Sequence, residues 1–128
     1  MKTTLPSALL SMSDAQQLFG LTARALRFYE ERGLIEAQRN RLNCRFFDAV
    51  ARRRLALIAP LRQAGVPMPE VRRVLDAEEA GSAGDAAALR ALERRRHALI
   101  KDLAQVDLVH EELARHSRGA DGRLSSAA

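Results

Sequence analysis

Three side chains in one short stretch, Arg24, Arg27 and Phe28, carry the clearest chemistry in this sequence. Each guanidinium is a planar fork of donors that can pair bidentately with a guanine edge or with phosphate. A ring beside them can lie against thymine methyls or sugars. To act together the three must share the outer face of a helix, and the spacing predicts one. Leu26, Tyr29 and Gly33 recur at intervals of three and four and make an inward face with Thr22 above it, leaving Arg24, Arg27, Phe28 and Glu31 outside. Tyr29 reads as a core ring whose hydroxyl can also reach a phosphate. Two outward arginines alone would be ordinary solvated surface, so the elements around them decide.

Gly20-Leu21-Thr22 predicts a tight turn, with Thr22 or its neighbour capping a helix that Gly33 ends. Upstream, Ser13-Asp14-Ala15-Gln16 fits a capping box for a first helix to about Phe19, with Met12, Ala15, Leu18 and Phe19 as core contacts. Two short helices joined by a turn are a helix-turn-helix, whose second helix enters the major groove. Beyond Leu34-Ile35 a hairpin is expected. Asn40 and Asn43 can take the left-handed turn conformation, and Cys44 to Phe47 form a short returning strand. Such a hairpin is a wing, from which Arg39, Arg41 and Arg45 would reach the phosphate backbone.

Asp48 can cap a third helix through Leu55, Leu57, Ile58 and Leu61 to Gly65, with Pro60 expected to remove a hydrogen bond and bend it. Gly65 to Glu70 is a second turn, opening a helix with Val71, Val74 and Leu75 inward. Arg52, Arg53 and Arg54 form the densest basic run, equally a solvated face or a backbone contact. Ala80 to Gly84 reads as the clearest linker. From Asp85 a long helix carries Leu89, Leu92, Leu99, Leu103, Val106 and Leu113 in one three-four series, with Arg96 and His110 in its remaining places and Ile100 and Val109 widening the stripe. This is a coiled-coil seam, and an apolar stripe on a single helix implies a second copy. The expected organisation is a flexible arm over residues 1–11, a winged helix-turn-helix over 12–76, a linker over 77–85, a dimerisation helix over 86–117 and a disordered tail over 118–128.

Composition agrees with a mainly α chain, since Ala and Arg dominate and strand formers are sparse. The net charge of +5 is unevenly spread: residues 1–75 hold 13 Lys/Arg against 6 Asp/Glu, and residues 76–128 hold 8 against 10. A polyanion partner is therefore expected for the N-terminal part alone. Cys44 is the single cysteine, which excludes an internal disulfide and a cysteine-held metal and fits a reducing cytoplasm. Its expected role is packing. No run approaches membrane-spanning length, and the start has no signal-peptide core.

The stretch Arg24-Ala25-Leu26-Arg27-Phe28-Tyr29-Glu30, followed by Gly33-Leu34-Ile35, resembles the signature of the MerR transcription regulators, and the order of later segments fits from about Met12 to about Ser117. Where that family usually carries Gly-Tyr-Arg-x-Tyr, this chain has Asn43-Cys44-Arg45-Phe46-Phe47. Asn replaces Gly at the turn and Phe47 fills the core place of a Tyr. The resemblance implies a dimer with antiparallel long helices that binds double-stranded promoter DNA, bends and untwists it, and works with RNA polymerase. It implies DNA contacts from Thr22, Arg24, Arg27, Phe28, Tyr29, Arg39, Arg41 and Arg45, and from Arg53 in the second helix pair.

His97, His110 and His116 do not share a helix face, and the cysteines of the family's metal sensors are missing, so no metal or other cofactor is expected. About a dozen residues follow the long helix, too few for the ligand domain of the family's drug sensors. No nucleophile elbow, phosphate-binding glycine loop or paired carboxylates appear, so no enzyme is expected. The alternative is a protein-interaction module on the same scaffold, resembling a chaperone modulator, against which the basic wing argues.

Overall fold

The computed structural model describes residues 9–81 and 83–126. Among them the elements run β1 (Leu10–Ser11), α1 (Met12–Phe19), α2 (Ala23–Glu31), β2 (Gln38–Arg39), β3 (Arg45–Phe47), α3 (Ala49–Gln63), α4 (Met68–Gly81) and α5 (Gly84–Ser126). The protein is mainly α, with a small antiparallel sheet in the order β1-β3-β2. It divides into a unit up to Leu92 and a second from Glu93.

In the first unit the core forms around α3, whose Leu55, Ile58 and Leu61 are fully buried with Phe47, Leu26 and Leu34. Val71, Val74 and Leu75 close it from α4, as their spacing predicts. Each such side chain taken from water contributes ~1.5–3 kcal/mol before the entropy of ordering is counted. Asp48 caps α3, its Oδ1 accepting from the Ala51 amide at 2.9 Å. The helix continues through exposed Pro60 to Gln63, and Gly65, at φ 81°, turns the chain toward α4. There the Val71 amide donates to the Pro67 carbonyl at 3.1 Å.

Four expectations need correction. First, α1 is capped by Ser11, not Ser13: Ser11 is extended and its Oγ accepts from the Asp14 amide at 3.1 Å. Pairing decides this, because Leu10 and Ser11 lie opposite Phe47 and Phe46. That strand holds Ser11 in the conformation an N-cap requires, while Ser13 is already helical. The same pairing removes Leu10 and Ser11 from the expected arm. Its residues 1–8 lie outside the described residues. Second, Leu18 is exposed while Ala15 is buried.

Third, the expected linker over 77–85 is helical to Gly81 and again from Gly84; Ser82 lies outside the described residues. The joint is packed. Glu78 Oε2 accepts from the Gly84 amide at 2.9 Å, and Gly84 is so close to its neighbours that a Cβ there would stand 2.9 Å from Leu57 Cδ1. Fourth, α5 reaches Ser126, through most of the expected disordered tail; residues 127–128 lie outside the described residues. Ala, Arg and Leu favour helix, and extending an existing helix needs no new nucleus.

At its start α5 buries Ala87 and Ala91 in the core of the first unit, with Ala88 and Leu92 packed partly against it. Leu92, expected in the seam, thus serves the intrachain core at least in part. In the second unit Leu99, Ile100, Leu103, Val106, Val109 and Leu113 are all exposed.

Candidate nucleic-acid interface

The helix that presents the arginines is fixed at both ends and from beneath. Gly20 closes α1 at φ 64°, a left-handed conformation that costs glycine little. Thr22 is extended, and its Oγ1 accepts from the Ala25 amide at 3.0 Å, so this hydroxyl is the cap of α2. At the far end the Leu34 amide donates to the Tyr29 carbonyl at 2.9 Å across Gly33, which has φ 73°. Leu26 and Tyr29 are buried. With that face committed to the core, Arg24, Arg27 and Phe28 are left in solvent.

Phe28 is not isolated. Its ring tilts 60° to that of Tyr29 at 6.0 Å between centroids, and the Arg32 guanidinium lies over the ring, 5.1 Å from its centroid. Arg32 in turn is held from α4, where Arg72 Nη2 donates to the Arg32 carbonyl at 2.6 Å. From α3, Arg54 Nε donates to the Leu34 carbonyl at 2.5 Å. Both arginines satisfy backbone carbonyls that follow α2, at its C-cap and just after Gly33.

The wing turns through one of its two asparagines: Asn43 alone is left-handed, while Asn40 acts through its side chain. Asn43 takes φ 61°, and Asn40 Oδ1 accepts from the Leu42 and Cys44 amides, each at 3.0 Å. Gln38 lies opposite Phe46, and Arg39 opposite Arg45. Gln38 Nε2 donates to Asp48 Oδ2 at 3.0 Å, so one carboxylate anchors the wing and caps α3. The returning strand begins at Arg45, leaving Cys44 exposed in the turn.

The basic side chains of the wing and of α3 fall into distinct situations. Arg41 is exposed, and Arg39 donates to the Asn43 carbonyl and Oδ1 at 3.2 and 3.3 Å. Arg45 is largely covered and pairs with Glu30 of α2 at 2.8 Å. Arg53 is committed elsewhere. It donates to Glu78 at 3.0 Å and to Asp85 at 2.9 Å, joining α3, α4 and the start of α5. Hydrogen bonds to Glu78 and then Asp85 raise its pKa further above the ordinary arginine value, so it stays charged throughout. The structure therefore brings the α2 arginines and the wing together through Glu30–Arg45, and sets Arg53 at the α3–α5 joint.

Sequence reasoning missed Arg32 and Arg72, and read Arg54 as a solvated or DNA-backbone side chain without its partner inside the chain. Their partners are a ring and backbone carbonyls, two of them 20 and 40 residues away in sequence, and no side-chain pattern encodes such acceptors. Among the described residues no group of three or more His, Cys, Asp or Glu is placed to hold a metal ion. No helix among them is long and apolar enough to cross a membrane.

Comparison with known proteins places this geometry. Residues 10–78 match the MerR HTH family regulatory proteins. In fold the chain is similar to HiNmlR, a MerR family regulator lacking the sensor domain and solved bound to promoter DNA, at TM-score 0.56 and 21% identity over 77% of this chain and 76% of that one. It is also similar to a MerR family regulator from Bacillus cereus, at TM-score 0.63 and 17% identity over 84% and 78% of the two chains. A third similar structure, from Listeria monocytogenes, gives TM-score 0.50 and 26% identity over 88% and 83%. From Leu10 through the wing to α4, the chain belongs to the MerR helix-turn-helix family of regulatory proteins.

Proposed function

We propose that this protein is a DNA-binding transcription regulator that acts as a homodimer in the cytoplasm, reading a pseudo-palindromic promoter site and distorting it. The observation that carries this reading is the division of α2: Leu26 and Tyr29 are spent on the core, while Arg24, Arg27 and Phe28 remain in solvent on a helix capped at both ends. In that role Arg24, Arg27 and Phe28 enter the major groove. Thr22 sets the start of the helix, and Tyr29 supports it from the core. Arg39 and Arg41 place the wing along the backbone, Arg45, paired with Glu30, fixes the wing to α2, and Arg53 steadies the joint to α5 in preference to a phosphate.

Pairing follows from α5. Leu89, Leu99, Leu103, Val106 and Leu113 are exposed apolar residues on one helix, and a second antiparallel copy is the occupant that would cover Leu99 to Leu113 with a matching surface. Two winged domains on a two-fold axis would meet two half-sites, and bending the DNA between them provides indirect readout. Work with RNA polymerase belongs to this reading; catalysis does not. HiNmlR, bound to promoter DNA, supports it, and nothing comparable supports the chaperone-modulator alternative.

Sedimentation of the protein with a fluorescent duplex tests it. The expected result is two chains per duplex, with Leu103→Glu reducing the free protein to monomers and weakening DNA binding. A folded protein that stays monomeric or ignores duplex DNA at low salt would contradict it.

A further inference from the structure

The ring most exposed on α2 is held by a chain of interactions that begins on α4. Arg72 Nη2 donates to the Arg32 carbonyl, and the Arg32 guanidinium lies over the Phe28 ring, 5.1 Å from its centroid. The three residues, with Met68 and Pro69, line a cleft of about 450 Å³ between the end of α2 and the start of α4. Phe28 is 38% exposed, so it lines the cleft and still presents surface to a ligand of α2.

An exposed phenyl on a helix has a broad second torsion and, without a neighbour, samples several orientations. A guanidinium over one face restricts them. Arg32 can do this because it follows the last helical residue, where its backbone is fixed by two hydrogen bonds: its own amide donates to the Phe28 carbonyl at 3.0 Å, and Arg72 donates to its carbonyl at 2.6 Å. The restraint therefore crosses from the second helix pair to the reading helix.

We propose that Arg72 is a positioning residue for DNA reading: through Arg32 it sets the orientation of the Phe28 ring, so that α4 controls base selectivity without touching a base. The inference rests on the DNA-binding reading above. It differs from a phosphate contact by Arg72, which would add affinity on every sequence alike. Positioning changes the ratio between the preferred site and others.

Two measurements test it, both on the full chain. In the free protein, the Phe28 ring current shifts the Arg32 δ-methylene protons upfield in the proton spectrum. Arg72→Ala returns them toward the value of a solvated arginine, while the circular dichroism spectrum keeps its helical form. An unchanged shift overturns the proposal without reference to DNA. In titrations at one salt concentration, the ratio of affinities for the selected duplex and a scrambled one falls about three- to tenfold in Arg72→Ala. In a Phe28→Leu background the same substitution leaves the ratio unchanged, the non-additivity expected of coupled residues. An equal loss on both duplexes, repeated in the Phe28→Leu background, means a phosphate contact only and overturns the inference while the DNA reading stands. No duplex binding by the unaltered protein overturns both.

Discussion

Arg45 reaches from the wing to Glu30 on the recognition helix, with its Nε 2.8 Å from the carboxylate. Roughly a quarter of each side chain is exposed, 27% and 26% respectively, so solvent screens the pair only in part. It ties the hairpin to α2 and directs one of three wing arginines inward. Glu30→Gln and Arg45→Ala should each lower the unfolding free energy by about 1 kcal/mol, between an exposed pair and a charge-assisted hydrogen bond. In denaturant titrations the double variant should be no worse than the worse single one. Strictly additive losses would mean that the pair contributes nothing.

Arg27 stands in solvent on the outer face of α2 and is proposed to contact DNA. Arg27→Ala should weaken binding on all duplexes and reduce the slope of log K against log salt by roughly one unit for each phosphate that the guanidinium neutralises. Titrations at several salt concentrations measure it. An unchanged affinity and slope would remove Arg27 from the interface.

Gly84 is required by space. A methyl group there would stand 2.9 Å from Leu57 Cδ1 and from Glu78 Cβ, and neither the core leucine nor the helix α4 can withdraw freely. Gly84→Ala should destabilise the fold by ~1–3 kcal/mol, the usual cost of overpacking, despite the better helix propensity of alanine. Chemical denaturation reads this directly, and a more stable variant would show that the joint is looser than described.

The same joint makes stability depend on pH. The hydrogen bond from Arg53 holds the Glu78 carboxyl below its ordinary value of 4.5, against the upward push of desolvation and with help from the Gly84 amide. A folded value below the unfolded one means that the stabilisation is present in full above pH 4.5 and is lost as pH falls through the folded value. Arg53, raised, keeps its charge across this window. Unfolding free energy should therefore drop below pH 4.5, and Glu78→Gln should be less stable at neutral pH with a shallower acid limb. Parallel acid limbs would assign the drop to other carboxylates.

The parts of the structure readable from sequence are those fixed by local periodicity and caps. Leu26 and Tyr29 turn inward because their spacing leaves no other face, and Thr22, Asp48 and Asn43 sit where their side chains suit the backbone. What the sequence hid depends on partners far along the chain. Ser11 displaces Ser13 as a cap because Leu10 pairs with Phe47. Arg45 and Arg53 look like free cations until Glu30, Glu78 and Asp85 are brought to them. The residues Ala80 to Gly84 look like a linker, yet the two glycines end one helix and begin another. Ala87 and Ala91 are not legible as core because the leucines of α5 carry its apolar stripe, whereas the close approach at its start admits only small side chains.

Selection of promoter DNA by this chain is measured most directly by letting the purified protein retain fragments of sheared genomic DNA and sequencing them. The predicted result is enrichment of a two-fold symmetric site lying between promoter elements, with less DNA retained by Arg27→Ala. No enrichment by a protein shown to be folded and dimeric would contradict DNA selection and turn the search toward a protein partner.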